Sequence, residues 1–468
     1  MERYIAFDCG NSSVRATVGS FDGRRIVLEE MHAAFNGPIR VGHYDYWNIL
    51  DIYAQIIEGL RLSWLAYNDI VGFGISTWGI DFALMGPSKV MLNNPLCYRN
   101  IFGKLGMDSL TQQELEQNFI ATGIQNFPMN TLYQILGIQQ ELPEYAETAS
   151  QLLLIPDLLN YFLTGEINTE ISIVSTTGLV SMKSRSYAPQ VFSRMGISPA
   201  WFPPIIEHGT IRGHLRPELA SKLEMVQLPA YSIPAHDTSA AVIAVPAATD
   251  SFIFISCGTW SLIGSVIDEP IINDAVSQAG LSNEGGFNDK INLLRNYAGM
   301  HILQSIKDEI ELQSTTELSW EELVSLAAKY VDDPQLPVFD CTDASLYNPL
   351  SMQKAVEDLT GLSNLGEVVA SAYISLARGY CMVVESLEQV LGKSFPEIHI
   401  VGGGSRNELL CQLLANFSGK IIIAGPAEAT SLGTIAAQVF SSHPELYLQD
   451  LSQVIRESVV TITYLPKV

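Results

Sequence analysis

The sequence predicts an α/β protein built from two similar domains. Three observations carry that expectation. The chain opens with an apolar strand, a polar glycine turn and a second strand over residues 4–19. A partial echo of that form recurs over residues 252–261, with a shared Cys-Gly pair at Cys9-Gly10 and Cys257-Gly258. Between residues 397 and 440 the order is strand, glycine loop, amphipathic helix, strand, helix, which implies a parallel pair with a right-handed crossover. At 468 residues the chain holds two or three domains with full cores, and the expected division is 1–246 and 247–468.

In chain order, residues 4–8 form the first strand, 14–19 the second and 26–28 the third. Asp22-Gly23 between the last two is a hairpin signal. Trp47, Ile49, Leu50, Tyr53, Ile56, Ile57 and Leu60 recur at helical spacing over 47–66. Residues 70–82 read as one buried strand whose end carries Thr77, Trp78, Gly79 and Asp81. Residues 152–155 lead into a helix that begins at Pro156, where a missing N–H costs nothing, and stops near Gly165. Residues 228–233 form a short strand, 239–245 a small-residue helix and 244–250 a linker. In the second half, strands at 397–401 and 420–425 flank a helix marked by Leu409, Leu410, Leu413, Leu414 and Phe417.

Composition excludes several classes. Apolar residues make up 47% and charged ones 16%, the balance of a globular chain. A net charge of −24 argues against non-specific binding to nucleic acid or anionic lipid. Small anions stay open as ligands, because a nest of backbone N–H groups holds phosphate on an acidic protein as well. The chain runs straight into a strand without a basic-then-apolar leader, and no apolar run approaches the roughly 20 residues of a membrane span. The six cysteines are scattered and show no C-x-x-C spacing. Free buried thiols in a reducing cytoplasm fit that pattern better than a disulfide framework or a zinc site.

Asp237 is the residue around which a site is expected. It sits where a short strand ends and a helix begins, the place where sites collect in α/β proteins. A carboxylate there, between His236 and Thr238, can take a proton from a substrate hydroxyl. It can equally serve as a helix N-cap. Asp8 ends the first strand beside the Gly10 turn, whose backbone amides can approach a phosphate. The loop Gly402-Gly-Gly-Ser-Arg-Asn407 opens a helix and suits phosphate or nucleotide, or is simply a tight turn needing positive φ.

Taken together, these stretches resemble the FGGY carbohydrate kinases, most closely the rhamnulokinase branch, from about residue 4 to about residue 440. The resemblance rests on Asp8-Cys-Gly-Asn-Ser-Ser-Val-Arg15, Ser76-Thr-Trp-Gly-Ile-Asp-Phe82, Asn130-Thr-Leu-Tyr-Gln134 and Ala235-His-Asp-Thr238. It continues through Ser256-Cys-Gly-Thr-Trp-Ser261, Asn283-Glu-Gly-Gly286, Leu294-Arg-Asn-Tyr-Ala-Gly299, Gly402-Gly-Gly-Ser-Arg-Asn407 and Gly425-Pro-Ala-Glu-Ala-Thr-Ser-Leu-Gly433. It implies two ribonuclease-H-like domains of the actin-like ATPase fold facing a central cleft, with sugar and ATP as the small-molecule partners and Mg²⁺ as the ion. Asp237 is then the catalytic base and Asp8 the Mg²⁺ carboxylate. Asn11, Ser12, Ser13, Arg15 and Thr259 match phosphate-binding positions, and Gln304 and Gly402 match nucleotide-contacting ones. Gly79, His236, Thr238 and Asn296 match the sugar site, with Trp78 and Asp81 beside them. A monomer or homodimer is expected, without nucleic acid or membrane.

Three positions depart from the rhamnulokinase pattern. Val14 stands where that branch has Gly and the fuculokinases have Val, and Asn100 and Phe102 replace an Asp and an Arg. The open readings are a kinase making L-rhamnulose 1-phosphate, the same chemistry on L-fuculose or another ketose, and a silent relative that binds sugar or nucleotide. A filament-forming actin-like protein is a more distant fourth.

Overall fold

The computed structural model describes residues 1–249, 251–314, 317–347 and 349–467. Asp250, at the end of the expected linker, lies outside the described residues. The chain packs as two compact units, each discontinuous in sequence. The first gathers Met1–Pro246, Val266–Leu293 and Ala429–Ser458; the second gathers Ala247–Ser265, Leu294–Glu428 and Val459–Val468. The sequence reading divides the chain once, after residue 246. Two later stretches instead return to the first unit.

The first unit is organised by a six-stranded sheet. Its order is Ile211–His214, Pro229–Tyr231, Ile70–Thr77, Glu2–Cys9, Ser13–Phe21, Ile26–Phe35. Glu2–Cys9 runs antiparallel to Ser13–Phe21 and parallel to Ile70–Thr77. The turn after Phe21 forms as its sequence dictates: Gly23 takes φ +92°, and Asp22 Oδ1 accepts from the N–H groups of Arg24 and Arg25 at 2.9 Å each. The expected helix at 47–66 spans Ile49–Ala66 and is capped by Asn48. Trp47 instead ends the short strand Tyr44–Trp47, which pairs with Pro38–Val41. The helix lies close on the sheet because Gly59 has no side chain: a Cβ there would sit 2.5 Å from Ala16 Cβ. Ile5, Phe7, Val14, Ala16, Val18, Phe73 and Ile75 of the sheet and Ile49, Ile52, Ile56 and Leu60 of the helix form one buried core. A second core gathers around Phe82, Phe102, Leu132 and Tyr133.

The expected strand at 70–82 breaks after Thr77 and resumes at Phe82–Met85. The break is a turn in which Ile80 adopts φ +69°, a left-handed conformation that is costly for a β-branched residue. The helix Ile155–Thr164 begins with Pro156 in its first turn and ends at Gly165, φ +87°.

The second unit repeats the hairpin and its parallel neighbours. Ile253–Cys257 pairs antiparallel with Trp260–Ile267 and parallel with Glu397–Val401. Glu397–Val401 pairs parallel with Ile421–Ala424, the expected crossover pair, and Ile421–Ala424 pairs antiparallel with Ile462–Tyr464. The helix Leu365–Leu391 corrects one expectation, since it is long and apolar enough to cross a membrane. Seventeen of its residues, among them Val368, Tyr373, Leu376 and Leu387, are buried inside the protein, so it reads as the core helix of this unit. All six cysteines are buried and free.

The helix Ala429–Ser442 follows the second unit in sequence but packs on the first unit's sheet. Gln438 Nε2 donates to the Ile5 carbonyl at 3.0 Å, and Ser76 Oγ meets Thr434 Oγ1 at 3.3 Å. Its Gly433 lies against the helix Asp237–Ile243, where an added Cβ would fall 1.8 Å from the Ala240 carbonyl oxygen. Backbone cannot yield as a side-chain tip can. Gly433→Ala is therefore expected to destabilise the first unit by about 1–3 kcal/mol, the usual cost of overpacking a core, or more. Urea melts of the variant and wild type check this, and an unchanged midpoint would mean the two helices separate freely.

Candidate active site

The first unit's candidate residues gather at the carboxyl ends of its parallel strands. Cys9 is in register with Thr77, and Thr77 bridges in parallel to His236. Thr77 N also donates to the Ala235 carbonyl at 2.8 Å. Asp8 thus lies just before one strand end and Asp237 just after another, two strand spacings across, roughly 10 Å. Ligands of open α/β sheets bind at this edge.

Asp237 opens the helix Asp237–Ile243 at its first helical position, and His236 takes the cap position without a side-chain cap bond. Its carboxyl accepts from its own neighbour, Thr238 N, at 2.6 Å. The N-cap reading therefore does not describe this carboxyl, whose side chain is 32% exposed. Loss of solvation pushes its pKa above the usual carboxylate value, against the pull of His236 and of the Thr238 hydrogen bonds. His236 is buried, with Nε2 3.4 Å from Asp237 Oδ1 and Nδ1 3.2 Å from Glu284 Oε2. Burial draws the imidazole pKa down, but the carboxylates of Glu284, Asp237 and Glu170 outweigh it and the net shift is upward. Thr238 is also buried.

Sequence reasoning missed the group that holds this corner. Glu170 has no exposure and caps the helix Ile171–Ser175. Its carboxylate accepts from Ser172 N at 2.7 Å, Ser172 Oγ at 2.5 Å, Ile173 N at 3.2 Å and Ala235 N at 2.9 Å, and it pairs with His208. Ser172 Oγ in turn accepts from His236 N at 3.1 Å. Burial alone would raise the Glu170 pKa, but the His208 and Ser172 partners hold it below the usual range. Nothing local singles it out: Glu170 stands in a mixed stretch, after Asn168 and Thr169 and before Ile171-Ser-Ile173, with a second acidic residue at Glu166.

Gly79 lies in the turn that follows the strand Ile70–Thr77, against Thr176, whose Oγ1 would be 3.1 Å from an added Cβ. Thr176 Oγ1 accepts from Ile80 N at 3.2 Å, and Thr131 Oγ1 donates to the Ile80 carbonyl at 2.6 Å. Asp81, expected beside the sugar pocket, is instead buried under this turn. It accepts from Trp47 Nε1 at 2.6 Å, Trp78 Nε1 at 3.0 Å, Gln134 Nε2 at 3.2 Å and Tyr98 N at 3.3 Å. Asn100 and Phe102 are likewise structural. Asn100 exchanges bonds with Asp45 N and the Asp45 carbonyl at 2.9 and 2.8 Å, and Phe102 is buried against Tyr44. Val14 is buried in the first core.

The residues expected at phosphate sit in ordered turns or at the starts of the strands that follow them. Gly10 N donates to the Ser13 carbonyl at 2.8 Å, and Asn36 braces the turn through Gly10 O and Ser12 O. Arg15 lies across from Asp8 in register. Asn11 Oδ1 is buried and has no hydrogen-bond partner among the described residues. In the second unit, the Thr259 carbonyl accepts from His301 Nδ1 at 3.1 Å. Gln304 lies on the helix His301–Ser314 and Asn296 on the strand Ile291–Ala298. Gly402 takes φ +81° and packs on Cys257, so its identity follows from backbone geometry. The following helix, Glu408–Ser418, is capped by Asn407 and does not open directly from the glycines. Three other glycines lack such a reason. A Cβ at Gly10 would meet only Ser13 O at 3.7 Å, at Gly258 only Trp260 O at 3.8 Å, and at Gly403 nothing within 4 Å. Room beside turn amides is what a phosphate needs. Among the described residues no three His, Cys, Asp or Glu side chains cluster as a metal cage. Mg²⁺ needs none, being held by one or two carboxylates together with substrate phosphates.

Comparison with known proteins agrees with this geometry. Residues 3–244 match the N-terminal domain of the FGGY family of carbohydrate kinases, and residues 253–442 match its C-terminal domain. The chain is 32% identical to a rhamnulokinase of Bacteroides thetaiotaomicron, over 100% of this chain and 96% of that one. It is 32% identical to a rhamnulokinase of Bacillus subtilis, over 99% and 95%. Among solved structures, a gluconate kinase from Lactobacillus acidophilus superposes with a TM-score of 0.82 at 15% identity, covering 100% of this chain and 94% of that one. A glycerol kinase from Plasmodium falciparum, solved with ADP, superposes with a TM-score of 0.77 at 16% identity, again over 100% and 94%. These likenesses bear out the two-domain α/β sugar-kinase fold.

Asp81 gives the site a pH signature. Burial outweighs its four donors and lifts its pKa from 3.8 to about 7. Between those values the folded protein binds a proton that the unfolded chain releases. The stability from this group is complete below about pH 4 and is lost as pH rises through 7. Asp157, raised to about 6 beside Arg212, acts in the same window. Asp81→Asn is therefore expected to flatten, without abolishing, the fall in urea midpoint between pH 5 and pH 7.5. An unaltered slope would show that Asp81 is ionised throughout.

Proposed function

Because the chain belongs to the FGGY family of carbohydrate kinases, and so phosphorylates a sugar with ATP, we propose that its acceptor is L-rhamnulose and its product L-rhamnulose 1-phosphate. One observation supports the choice of sugar above others. Likeness to rhamnulokinases runs the whole length of the chain, while Asn100 and Phe102, two departures from that branch, have their side chains engaged in packing. Val14 is a core residue of the strand Ser13–Phe21 and does not speak for fuculose.

In this reading Asp237 accepts the proton of the sugar's 1-hydroxyl as that oxygen attacks the γ-phosphorus of ATP, and ADP leaves. His236, Thr238, Gly79 and Asn296 hold the sugar. Asn11, Ser12, Ser13, Arg15 and Thr259 hold the phosphates by backbone and side-chain donors, and Gln304 and Gly402 flank the nucleotide. Phosphoryl transfer depends on such positioning and charge neutralisation more than on covalent chemistry. Asp8 would hold Mg²⁺, directly or through water, and the ion bound there neutralises phosphate charge. The protein works in the cytoplasm, as a monomer or homodimer.

Two measurements test this. Asp237→Asn keeps the size and the Thr238 contact but removes the base. It is expected to lower kcat by roughly 10²–10⁴ with the thermal midpoint close to wild type. Retained turnover would overturn the assignment. Coupled ADP release over a panel of ketoses is expected to give a kcat/KM for L-rhamnulose at least about tenfold above that for L-fuculose. One mismatched hydrogen bond, about 1.4 kcal/mol, is enough for that ratio. Equal rates, or a preference for L-fuculose, would overturn the sugar and leave the kinase standing.

A further inference from the structure

The motif Asn283-Glu-Gly-Gly286 has no role in the reading above, yet three of its four residues have complete structural reasons. Asn283 docks the strand Ser282–Gly285. Its Nδ2 donates to the Gly123 and Ile271 carbonyls at 2.9 Å each, and its Oδ1 accepts from Ile271 N at 2.8 Å. Gly285 lets the strand approach the helix Ile171–Ser175, since an added Cβ would lie 3.0 Å from Ile171 O and from Ser172 Cα. Its N–H donates to Ser175 Oγ at 2.9 Å, and its carbonyl accepts from Ser239 Oγ at 3.0 Å, on the helix that Asp237 opens. Gly286 stands where a Cβ would lie 2.9 Å from the Lys290 carbonyl oxygen. The motif thus builds a braced strand whose remaining side chain, Glu284, is aimed at His236.

The contact itself is specific. Glu284 Oε2 and His236 Nδ1 lie 3.2 Å apart. Both atoms are buried, and neither makes a regular hydrogen bond to any described residue, so they face each other as an ion pair. The backbone of His236 is fixed by Ser172 and Thr77, but neither of these contacts touches its ring. What holds the Nδ1 edge is Glu284, and holding that edge leaves Nε2 facing Asp237 at 3.4 Å. A buried ion pair is a weak source of stability, so folding alone is a poor reason for this carboxylate.

We propose that Glu284 is a positioning residue for phosphoryl transfer, fixing the His236 ring so that Nε2 steadies the Asp237 carboxylate in line with the sugar hydroxyl. The inference rests on the reading of Asp237 as the base. The groups facing the His236 ring are Glu284 and Asp237, with Glu170 and its partner His208 behind Ser172. Of the carboxylates that favour the charged ring, Glu284 acts most strongly. Without it the imidazolium loses its strongest support, and the ring is free to rotate away from the base.

The test uses the full-length protein labelled with ¹⁵N-histidine, the His236 signal being assigned by its loss in His236→Asn. In Glu284→Gln the His236 titration midpoint is expected to fall by about one pH unit or more, the effect of removing an adjacent opposite charge. Turnover in the same variant is expected to drop about 10- to 100-fold in kcat, the cost of a misplaced catalytic group, with KM for the sugar within about threefold. Glu284→Asp, which keeps the charge, is expected to recover part of that loss. A His236 titration unmoved in Glu284→Gln, or a kcat within about twofold of wild type, overturns the proposal. The histidine signal is read without substrate, so it separates the two ideas. An active Asp237→Asn would remove the base assignment whatever Glu284→Gln does. An inactive Asp237→Asn beside a fully active Glu284→Gln would remove only the role of Glu284.

Discussion

A carboxylate shut off from water holds together the corner that carries Asp237. Glu170 binds the start of its own short helix, the N–H of Ala235 and the imidazole of His208, and through Ser172 it reaches the N–H of His236. Such a group is tolerable inside a protein only when every lone pair is engaged, and losing one partner of a buried charge costs about 3–5 kcal/mol. The strand-to-helix corner at 235–237 therefore has little freedom to drift. A base that must meet a hydroxyl at hydrogen-bonding distance needs that rigidity more than it needs any particular strength.

The same economy of polar groups runs through the turn at 78–81. Asp81 collects two indoles, an amide side chain and a backbone N–H beneath it, and the turn above takes Ile80 into a left-handed conformation. A strained residue of that kind costs on the order of 1–3 kcal/mol and persists only where its surroundings over-determine it. Thr131, Gln134 and Thr176 supply that determination through the Ile80 carbonyl and N–H. What results is a glycine, Gly79, presented on a fixed backbone at the sheet edge that also carries Asp8 and Asp237.

Much of this was legible from the residues in order. Apolar runs broken by Gly10 and Gly258 gave both hairpins, and the position of Asp237 between strand and helix marked it as a candidate for the site. What stayed hidden depends on partners distant in sequence. Glu170 and His208 are 38 positions apart, and nothing local marks either as half of a pair. Trp47 looks like the first apolar residue of a helix, but its indole N–H is drawn to Asp81, and that leaves it at the end of a strand. Asn100 and Phe102 looked like pocket residues because of their neighbours in sequence, and only the hairpin at 38–47 shows them to be packing. The destination of the helix at 429–442 was hidden for a related reason: periodicity shows that a helix has a buried face, never which core receives it.

That helix has a consequence for how the protein comes into being. Ala429–Ser442 lies on the sheet begun by Glu2–Cys9 and backs the helix that carries Asp237. A ribosome adding roughly 5–20 residues each second finishes the stretch to Pro246 well before it reaches this helix. For roughly ten to forty seconds at that rate the nascent chain carries its first sheet without the helix that packs on it, and the helix Asp237–Ile243 without its backing. The ordinary rule that an N-terminal domain folds as it emerges is suspended here, because one of its walls is made last.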